Sequence, residues 1–293
     1  MILITHWDVD GLLCLYLFYK KFGDTFKVYF SGPRIINKTL AKLIYEGKNN
    51  EELYIADISP NQEGIFLASC FKKATWIDHH FVNSFEKTSR VNIYILNEKS
   101  AAAVVARYFN LEDPIVKIAD NIDSNNIKEE IERDFRDLVS AIRFYNPKTY
   151  PIFFISIAKE LYLGERIDKI IEKREHILKK FREYIKNKED EVILSTKIHN
   201  FKNNKIVTVE IDDNIPSFLI LDILKKKIGE SLDYVIILYE NRGEIRTTTN
   251  KNVLEIAKYL GGGGHLYAAG FQFDNKEKVI EKIKEFFINN NSK

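Results

Sequence analysis

The first 110 residues alternate short apolar runs with amphipathic stretches, and this alternation limits the possible folds more than any other feature of the chain. The runs "MILIT", "FKVYFSG", "ELYIADI", "ATWID" and "VNIYIL" have the length and apolar character of strands. Amphipathic stretches lie between them, such as "GLLCLYLFYKKFG", which ends at Gly23. Strands that alternate with helices form βαβ units, so we predict a parallel sheet with helices on both faces.

The pattern changes in the second half of the chain. Residues 165–190 place apolar residues at helical spacing among many charges, which predicts a long connector helix with a solvated face. A second set of strands and helices follows. We therefore predict an α/β fold of three parts: an N-terminal catalytic metal-binding domain (1–164), the connector helix (165–190) and a smaller α/β substrate-binding domain (191–293). We expect the active site in the cleft between the two domains.

The composition argues against several classes of protein. With 44 basic and 42 acidic residues, the overall charge does not indicate a nucleic-acid-binding protein, and any basic groove would be local. The two cysteines, Cys14 and Cys70, cannot form a disulfide framework, which favours a reducing compartment. The longest apolar run, at 150–158, is too short to cross a bilayer. We expect a cytoplasmic protein that does not bind membranes.

Polar residues cluster where three of the predicted strands end. "THWDVDG" follows the first strand, "ADISP" the third and "IDHH" the fourth, and a further acidic pair lies in "KIADNID". Ligands of open parallel sheets bind at the carboxyl ends of the strands. Carboxylates and imidazoles without cysteine are the ligand set of Mn²⁺, Mg²⁺ or a related ion, and converging carboxylates would repel each other without cations. The candidates are His6, Asp8, Asp10, Asp57, Asp78, His79, His80, Asp120 and Asp123.

Each cluster also has a simpler structural interpretation. An aspartate after a strand is most often a helix N-cap, which is the favoured interpretation of Asp57 taken alone. "HWDVD" and "DHH" could each be a polar loop. Their joint occurrence at successive strand ends of one parallel sheet favours a metal site instead. The H-x-D-x-D spacing also directs three of the side chains to one side of an extended segment.

These motifs resemble those of a known family. "HWDVDG", "ADISP", "IDHH" and "KIAD" resemble the four motifs of the DHH phosphoesterase superfamily, and "GGGGHLYAAG" resembles the signature of its DHH-associated C-terminal domain. The resemblance covers essentially the whole chain. It is closest to RecJ-type single-strand exonucleases and to nanoRNases or oligoribonucleases, with a first motif similar to RecJ-type and archaeal members. Bacterial RecJ nucleases usually carry an additional nucleic-acid-binding domain, for which we expect no space here, so short substrates are favoured.

The resemblance implies a site for two metal ions. Mn²⁺ is expected, and Mg²⁺ or Co²⁺ is possible. One ion would be held by His6, Asp8 and Asp57, and the second by Asp10, Asp57, His79 and Asp120, with Asp57 bridging. Asp120 is preferred to Asp123 because "KIAD" matches the fourth motif of the family.

The resemblance also assigns roles in catalysis and substrate binding. His80 would contact the scissile phosphate and assist departure of the leaving group, and Asp78 would orient its neighbours. In the second domain, consecutive glycines let backbone N–H groups approach a phosphate. The predicted substrate-binding residues are Arg246, Gly262, Gly263, Gly264 and His265. A helix C-cap with a loose turn, and an ordinary exposed arginine, are the simpler interpretations of these positions.

We predict a metal-dependent phosphodiesterase that hydrolyses short single-stranded RNA or DNA oligonucleotides exonucleolytically to mononucleotides. A phosphohydrolase of cyclic dinucleotides, adenosine bisphosphate or polyphosphate is the alternative. A catalytically inactive, replication-associated scaffold is a further alternative, against which the complete ligand set argues. The sequence does not decide whether the substrate is RNA or DNA, from which end it is cleaved, or whether the protein is a monomer or a homodimer.

Overall fold

The structure, a computed structural model, describes residues 1–80, 88–201, 204–211, 215–229, 231–264 and 266–289. The chain divides into two compact units, Met1–Phe181 and Arg182–Lys293. None of the helices in the described part of the chain is both long enough and apolar enough to cross a membrane.

The first unit contains the predicted parallel sheet. Its five strands are all parallel and lie in the order β2-β1-β3-β4-β5. They are β1 (Ile2–Thr5), β2 (Lys27–Phe30), β3 (Glu52–Ala56), β4 (Lys73–Asp78) and β5 (Val91–Ile95). The strand order reverses direction at β1, since the chain first adds β2 on one side and then β3 to β5 on the other. This arrangement leaves the carboxyl ends of β1, β3 and β4 next to each other.

Helices cover both faces of this sheet, which confirms the prediction. In β1, Leu3 packs into one apolar core, and Ile2 and Ile4 pack into the other, because successive side chains of a strand point to opposite faces. The helices of this unit are α1 (Val9–Phe22), α2 (Ile36–Tyr45), α3 (Gln62–Ala68), α4 (Ala101–Phe109), α5 (Ile115–Asp123), α6 (Glu130–Tyr145), α7 (Tyr150–Tyr162) and α8 (Ile167–Lys173), and α9 (Glu175–Leu194) contains the boundary between the units.

The segment predicted as one connector helix is instead two helices, α8 and α9, with a break at Arg174. The Arg174 guanidinium binds α7, where Nη1 lies 3.3 Å from Glu160 Oε2 and Nη2 lies 3.4 Å from Ser156 Oγ. This ion pair ties the break to the first unit. Apolar spacing alone could not show it, because the residues on both sides of the break keep their helical pattern.

The second unit contains a mixed sheet of six strands in the order β10-β11-β9-β8-β7-β6. Only β7 and β8 pair in parallel among these strands, and the other neighbours are antiparallel. The strands are β6 (Thr196–Phe201), β7 (Asn204–Glu210), β8 (Tyr234–Leu238), β9 (Arg242–Arg246), β10 (Gly263–Gly264) and β11 (Ala268–Gln272). The helices are α10 (Ser217–Ile228), α11 (Leu254–Tyr259) and α12 (Lys276–Asn289).

Candidate metal centre

The polar residues predicted from the strand ends meet at one edge of the parallel sheet. His6 and Asp8 follow β1, Asp57 follows β3, and the "DHH" residues end β4. Three groups of side chains each bring their ligand atoms within 4.8 Å of one another: His6, Asp8 and Asp57; Asp10, His79 and Asp123; and Asp57, Asp78, His79 and His80. Asp57 belongs to two of the groups and therefore connects them.

Several distances within these groups are longer than a hydrogen bond. Asp57 Oδ2 lies 3.9 Å from His6 Nδ1, and His79 Nε2 lies 3.8 Å from Asp10 Oδ2 and 3.5 Å from Asp123 Oδ2. Ligand atoms about 2.1 Å from one small divalent ion are separated by roughly 3 Å from each other. The donor set and its spacing therefore fit divalent cations after a small contraction of the side chains.

Asp57 has an unusual backbone conformation as well as a buried carboxylate. Its φ of 59° lies in the left-handed region, which few residues other than glycine adopt. The side chain is buried, and Oδ2 accepts no hydrogen bond from any described residue. A buried carboxylate oxygen without a partner is costly. An unusual backbone conformation and a buried oxygen without a partner at one residue indicate a position adapted to hold a ligand, and a cation would supply the missing partner of Oδ2.

Asp8 and Asp10 each also support a helix. Asp8 is the N-cap of α1 and accepts a hydrogen bond of 3.0 Å from the Gly11 N–H. Asp10, in the first turn of α1, accepts hydrogen bonds of 2.6 and 2.9 Å from the backbone N–H groups of Ala101 and Ala102. The predicted ligand Asp10 therefore also holds the start of α4 against α1.

The acidic pair on α5 is placed differently from the family-based prediction. The Asp120 Oδ1 accepts a hydrogen bond of 2.6 Å from Ser100 Oγ, whereas Asp123 extends its carboxylate to His79. Asp123, of which 29% of the side chain is exposed, is the member of the pair that lies within ligand distance of Asp10 and His79. The spacing of one helical turn could have indicated that both face the same way, but not which one reaches the centre.

The two histidines of "DHH" are held in different ways. His79 Nδ1 lies 3.3 Å from the Glu98 carbonyl oxygen, and a proton donated there leaves the Nε2 lone pair facing Asp10 and Asp123. His80 Nδ1 forms a hydrogen bond of 2.7 Å with Oδ1 of the fully buried Asp78. Burial lowers the pKa of His80, but the charge and hydrogen bond of Asp78 outweigh it, so the pKa is raised.

The carboxylates of the cluster do not ionise in the ordinary way. Burial, followed by repulsion from neighbouring carboxylates, raises the pKa values of Asp10 and Asp57 well above the usual range. For Asp8, burial also acts to raise the pKa, but the charge and hydrogen bond of His6 and the Gly11 N–H outweigh it and lower the pKa. The cluster therefore favours bound positive charge, in the form of protons or cations.

These shifts predict how the stability of the metal-free protein depends on pH. A carboxyl with a raised pKa in the folded state stabilises the fold when protonated, and this contribution is lost as pH rises through that pKa. The raised pKa of His80 likewise stabilises the fold at lower pH. The stabilisation from Asp8, whose pKa is lowered, is lost only below about pH 4.

We therefore expect the metal-free protein to have a higher melting temperature at about pH 5.5 than at about pH 7.5. Thermal unfolding in a chelator measures this, and Mn²⁺ should reduce the difference. A continuous fall in melting temperature over the same acidification would contradict it.

In the second unit, Arg246 belongs to a network around a half-buried carboxylate, that of Glu244. Arg246 Nη2 and Arg242 Nη1 donate to Glu244 at 3.3 and 2.6 Å, and Ser217 Oγ donates to the same carboxylate. Burial acts to raise the pKa of Glu244, but Arg246, Ser217 and Arg242 outweigh it and lower the pKa. Two guanidinium groups around one carboxylate leave a net positive charge. The sequence prediction included Arg246 but missed Arg242 and Glu244, although alternate residues of a strand share a face.

The glycine-rich stretch is an edge strand of this sheet. Gly263 and Gly264 form β10, paired with β11. A Cβ on Gly262 would lie 2.1 Å from the Gly270 carbonyl oxygen, and one on Gly264 would lie 2.6 Å from Ala269 Cα. A Cβ on Gly263 would meet nothing within 4 Å. Two of the predicted substrate-binding glycines are therefore required by close backbone packing, and Gly263 is accessible. The predicted residue His265 lies outside the described residues.

Comparison with known proteins agrees with this architecture. Residues 203–289 match the model of the DHHA1 domain family. A search of curated proteins gave no match. The fold is similar to the pGpG-specific phosphodiesterase PggH from Vibrio cholerae, with 17% identity, a TM-score of 0.62 and coverage of 99% of both chains.

Two further solved structures share the fold. One is RecJ in complex with Mn²⁺ from Thermus thermophilus, with 11% identity and a TM-score of 0.61, covering 98% of this chain and 52% of that chain. The other is an exopolyphosphatase-related protein from Bacteroides fragilis, with 15% identity and a TM-score of 0.53, covering 98% and 91%. At these identities the similarity establishes a common fold.

Proposed function

We propose that this chain, a member of the DHH phosphoesterase superfamily, is a metal-dependent phosphodiesterase that cleaves short single-stranded oligonucleotides from one end to mononucleotides. The observation that carries the proposal is the convergence of carboxylates and imidazoles on Asp57 at the edge of the parallel sheet. Their donor types and spacing suit two divalent cations, and RecJ, which has the same fold, has been solved with Mn²⁺ and with Mg²⁺.

One cation would be held by His6, Asp8 and Asp57, and a second by Asp10, His79 and Asp123. Asp57 also lies within ligand distance of His79, so the two positions are adjacent. The cations, when bound, supply neutralisation of phosphate charge and activation of the attacking water. We include Asp123 rather than Asp120 because its carboxylate is the one that reaches His79. Asp120, bonded to Ser100, would support the start of α4.

His80 is the group of this chain suited to protonate the leaving oxygen. Its Nδ1 is occupied by Asp78, so Nε2 is the nitrogen that can donate a proton. The raised pKa keeps the imidazolium form populated closer to neutral pH. As water attacks phosphorus and loses a proton to solvent, the P–O bond to the leaving oxygen breaks and the Nε2 proton of His80 moves to that oxygen. Before the transfer, Asp78 stabilises the positive charge of the imidazolium and fixes the ring orientation.

The preference for short substrates rests on the extent of the similarity. The structure that matches over 99% of both chains is named a pGpG-specific phosphodiesterase, whereas the match to RecJ from Thermus thermophilus covers 52% of that protein. Arg246, held by Glu244 and Ser217 in the second unit, offers a guanidinium of the kind that binds a phosphate group. Linear dinucleotides and other oligomers of a few residues are therefore the proposed substrates.

A ladder of labelled RNA and DNA oligomers tests the proposal. The oligomers are incubated with the full chain and Mn²⁺, and the products are resolved by length. We expect mononucleotides to accumulate from one end, fastest for the shortest oligomers, and no cleavage in a chelator. Polyphosphate serves as the comparison, because an exopolyphosphatase-related protein shares the fold. Rapid release of phosphate from polyphosphate with no cleavage of any oligomer would refute the proposal.

The choice between the two acidic residues of α5 can be tested by metal binding. Asp123→Asn should weaken binding of the second Mn²⁺ by about 10-fold or more, because a carboxylate that faces His79 is lost. Asp120→Asn is the matched control and should retain both binding events, since its carboxylate is bonded to Ser100. Calorimetric titration of metal-free protein counts the ions directly. Loss of the second ion in Asp120→Asn, with normal binding in Asp123→Asn, would reverse the assignment.

A further inference from the structure

Trp7 lies between the candidate ligands His6 and Asp8, and the proposed chemistry gives it no role. Its indole is partly exposed and lies against Gly32, two residues after the end of β2. A Cβ on Gly32 would lie 2.5 Å from Cη2 of this ring. Only a glycine at position 32 therefore leaves space for the indole in this place, directly beside the metal-ligand cluster.

The surroundings of Trp7 combine an aromatic surface with a cation. The ring centroids of Trp7 and His6 are 5.0 Å apart, so the indole adjoins the cluster itself. The guanidinium carbon of Arg143, an exposed residue in the last turn of α6, lies 5.9 Å from the Trp7 ring centroid. An aromatic face and a guanidinium next to a phosphate-cleaving centre are the groups that bind a nucleobase and a backbone phosphate.

The other tryptophan shows what a purely structural role looks like. Trp76 is fully buried in β4, and its Nε1 donates a hydrogen bond of 2.6 Å to the Ile58 carbonyl oxygen. Trp7 is neither fully buried nor bonded through its N–H to any described residue. A partly exposed indole held in place at a catalytic edge is therefore available to a ligand in a way that Trp76 is not.

We propose that Trp7 and Arg143 form a base-stacking subsite, in which the nucleobase adjacent to the scissile phosphate stacks on the indole and a neighbouring phosphate pairs with Arg143. This inference rests on the proposed function and specifies the substrate further. The substrate must carry a base next to the cleaved bond, which separates nucleotides from polyphosphate. Stacking on an aromatic side chain is tolerant of base identity, so the subsite favours nucleotides in general and not one sequence.

Binding to the metal-free full chain tests the subsite without turnover. The probes are a linear dinucleotide and an abasic dinucleotide of the same charge. The dinucleotide should quench the fluorescence of Trp7 and bind about 10-fold more tightly than the abasic probe. Trp7→Phe should keep this difference in affinity and lose the quenching, because the remaining Trp76 is buried. Equal affinity of the wild-type protein for the two probes would overturn the inference.

Turnover with Mn²⁺ gives a second, independent measurement. Trp7→Ala should lower kcat/KM for the dinucleotide about 10-fold, to near its value for the abasic substrate, and Trp7→Phe should restore the preference for the dinucleotide.

If Trp7→Ala does not fold, Arg143→Gln on the exposed surface tests the subsite instead. This variant should show a several-fold rise in KM for the dinucleotide and little change in kcat. Tyr45→Ala, at a side chain that is 92% exposed, is the matched aromatic control and should behave as wild type. A Trp7→Ala variant that keeps the wild-type preference would refute the subsite. Failure of the proposed function itself looks different, since the wild-type protein would then cleave neither dinucleotide.

Discussion

Replacing Asp57 with asparagine is expected to reduce metal-dependent hydrolysis by about 1,000-fold or more while the chain stays folded. The carboxylate is one of the three ligands proposed for the first cation, and it also lies within ligand distance of His79. Losing several kcal/mol of charge stabilisation at this position accounts for the size of the effect. Asparagine suits the site because it tolerates the left-handed backbone conformation found there, with φ of 59°. Alanine at position 57 would add backbone strain, so a loss of activity could then result from lower stability and not from the missing carboxylate.

The same variant should be at least as stable as the wild-type protein when no metal is present. Its amide removes a buried carboxylate whose pKa is raised by burial and by the neighbouring acids. Activity on a dinucleotide, Mn²⁺ binding and melting temperature are therefore measured together. Asp24→Asn, at a largely exposed carboxylate paired with Lys159, is the matched control and should remain active. An Asp57→Asn protein that binds two ions and hydrolyses substrate normally would disprove the role of Asp57.

Alanine at Gly264 should strongly destabilise the second unit, whereas alanine at Gly263 should not. Gly264 has a φ of 141°, and its Cβ would lie 2.6 Å from Ala269 Cα, so the pairing of β10 with β11 would have to open. We expect a loss of about 2 kcal/mol or more and a fall in melting temperature of about 5 °C or more. Gly263 faces open space, so Gly263→Ala should change stability by less than about 0.5 kcal/mol.

This pair of variants separates the two interpretations of the glycine-rich stretch. If a substrate phosphate approaches the exposed backbone of β10, Gly263→Ala should raise KM for a dinucleotide in a fully stable protein, because the added methyl group stands in its way. Thermal unfolding and steady-state kinetics measure both effects. Wild-type kinetics in Gly263→Ala would limit these glycines to a structural role, and wild-type stability in Gly264→Ala would contradict the close packing.

The parallel sheet and the meeting of the strand ends could be predicted from the sequence because both follow from simple periodicity. Apolar runs of four to six residues with helices between them allow few arrangements, and the edge that carries the ligands follows from the strand direction. The backbone conformation of Asp57 could not be predicted, since an aspartate after a strand usually adopts ordinary dihedral angles. What distinguishes it is the tertiary packing of β3 against β4, where the Asp57 N–H donates to the Ile77 carbonyl oxygen at 3.2 Å.

Helix orientation explains the difference at α5. Asp120 and Asp123 are one turn apart, so the sequence places both on similar sides of the helix, and a rotation or shift of a fraction of a turn decides which one reaches His79. The motif resemblance favoured Asp120, but the hydrogen bond from Ser100 Oγ directs that carboxylate to the start of α4. The break at Arg174 has a similar origin, since a tertiary ion pair with Glu160 acts against a continuous local pattern.

Two backbone amides far along the chain respond to the state of the Asp10 carboxylate. This carboxylate accepts the amide protons of Ala101 and Ala102, 91 and 92 residues further along the chain. A proton or a cation on that carboxylate withdraws electron density from these two bonds. The chemical shifts and solvent-exchange rates of the two amides should therefore follow occupancy of the centre by protons or by the diamagnetic ion Mg²⁺ in solution. These two amide NMR signals at the start of α4 would report metal loading in the absence of substrate.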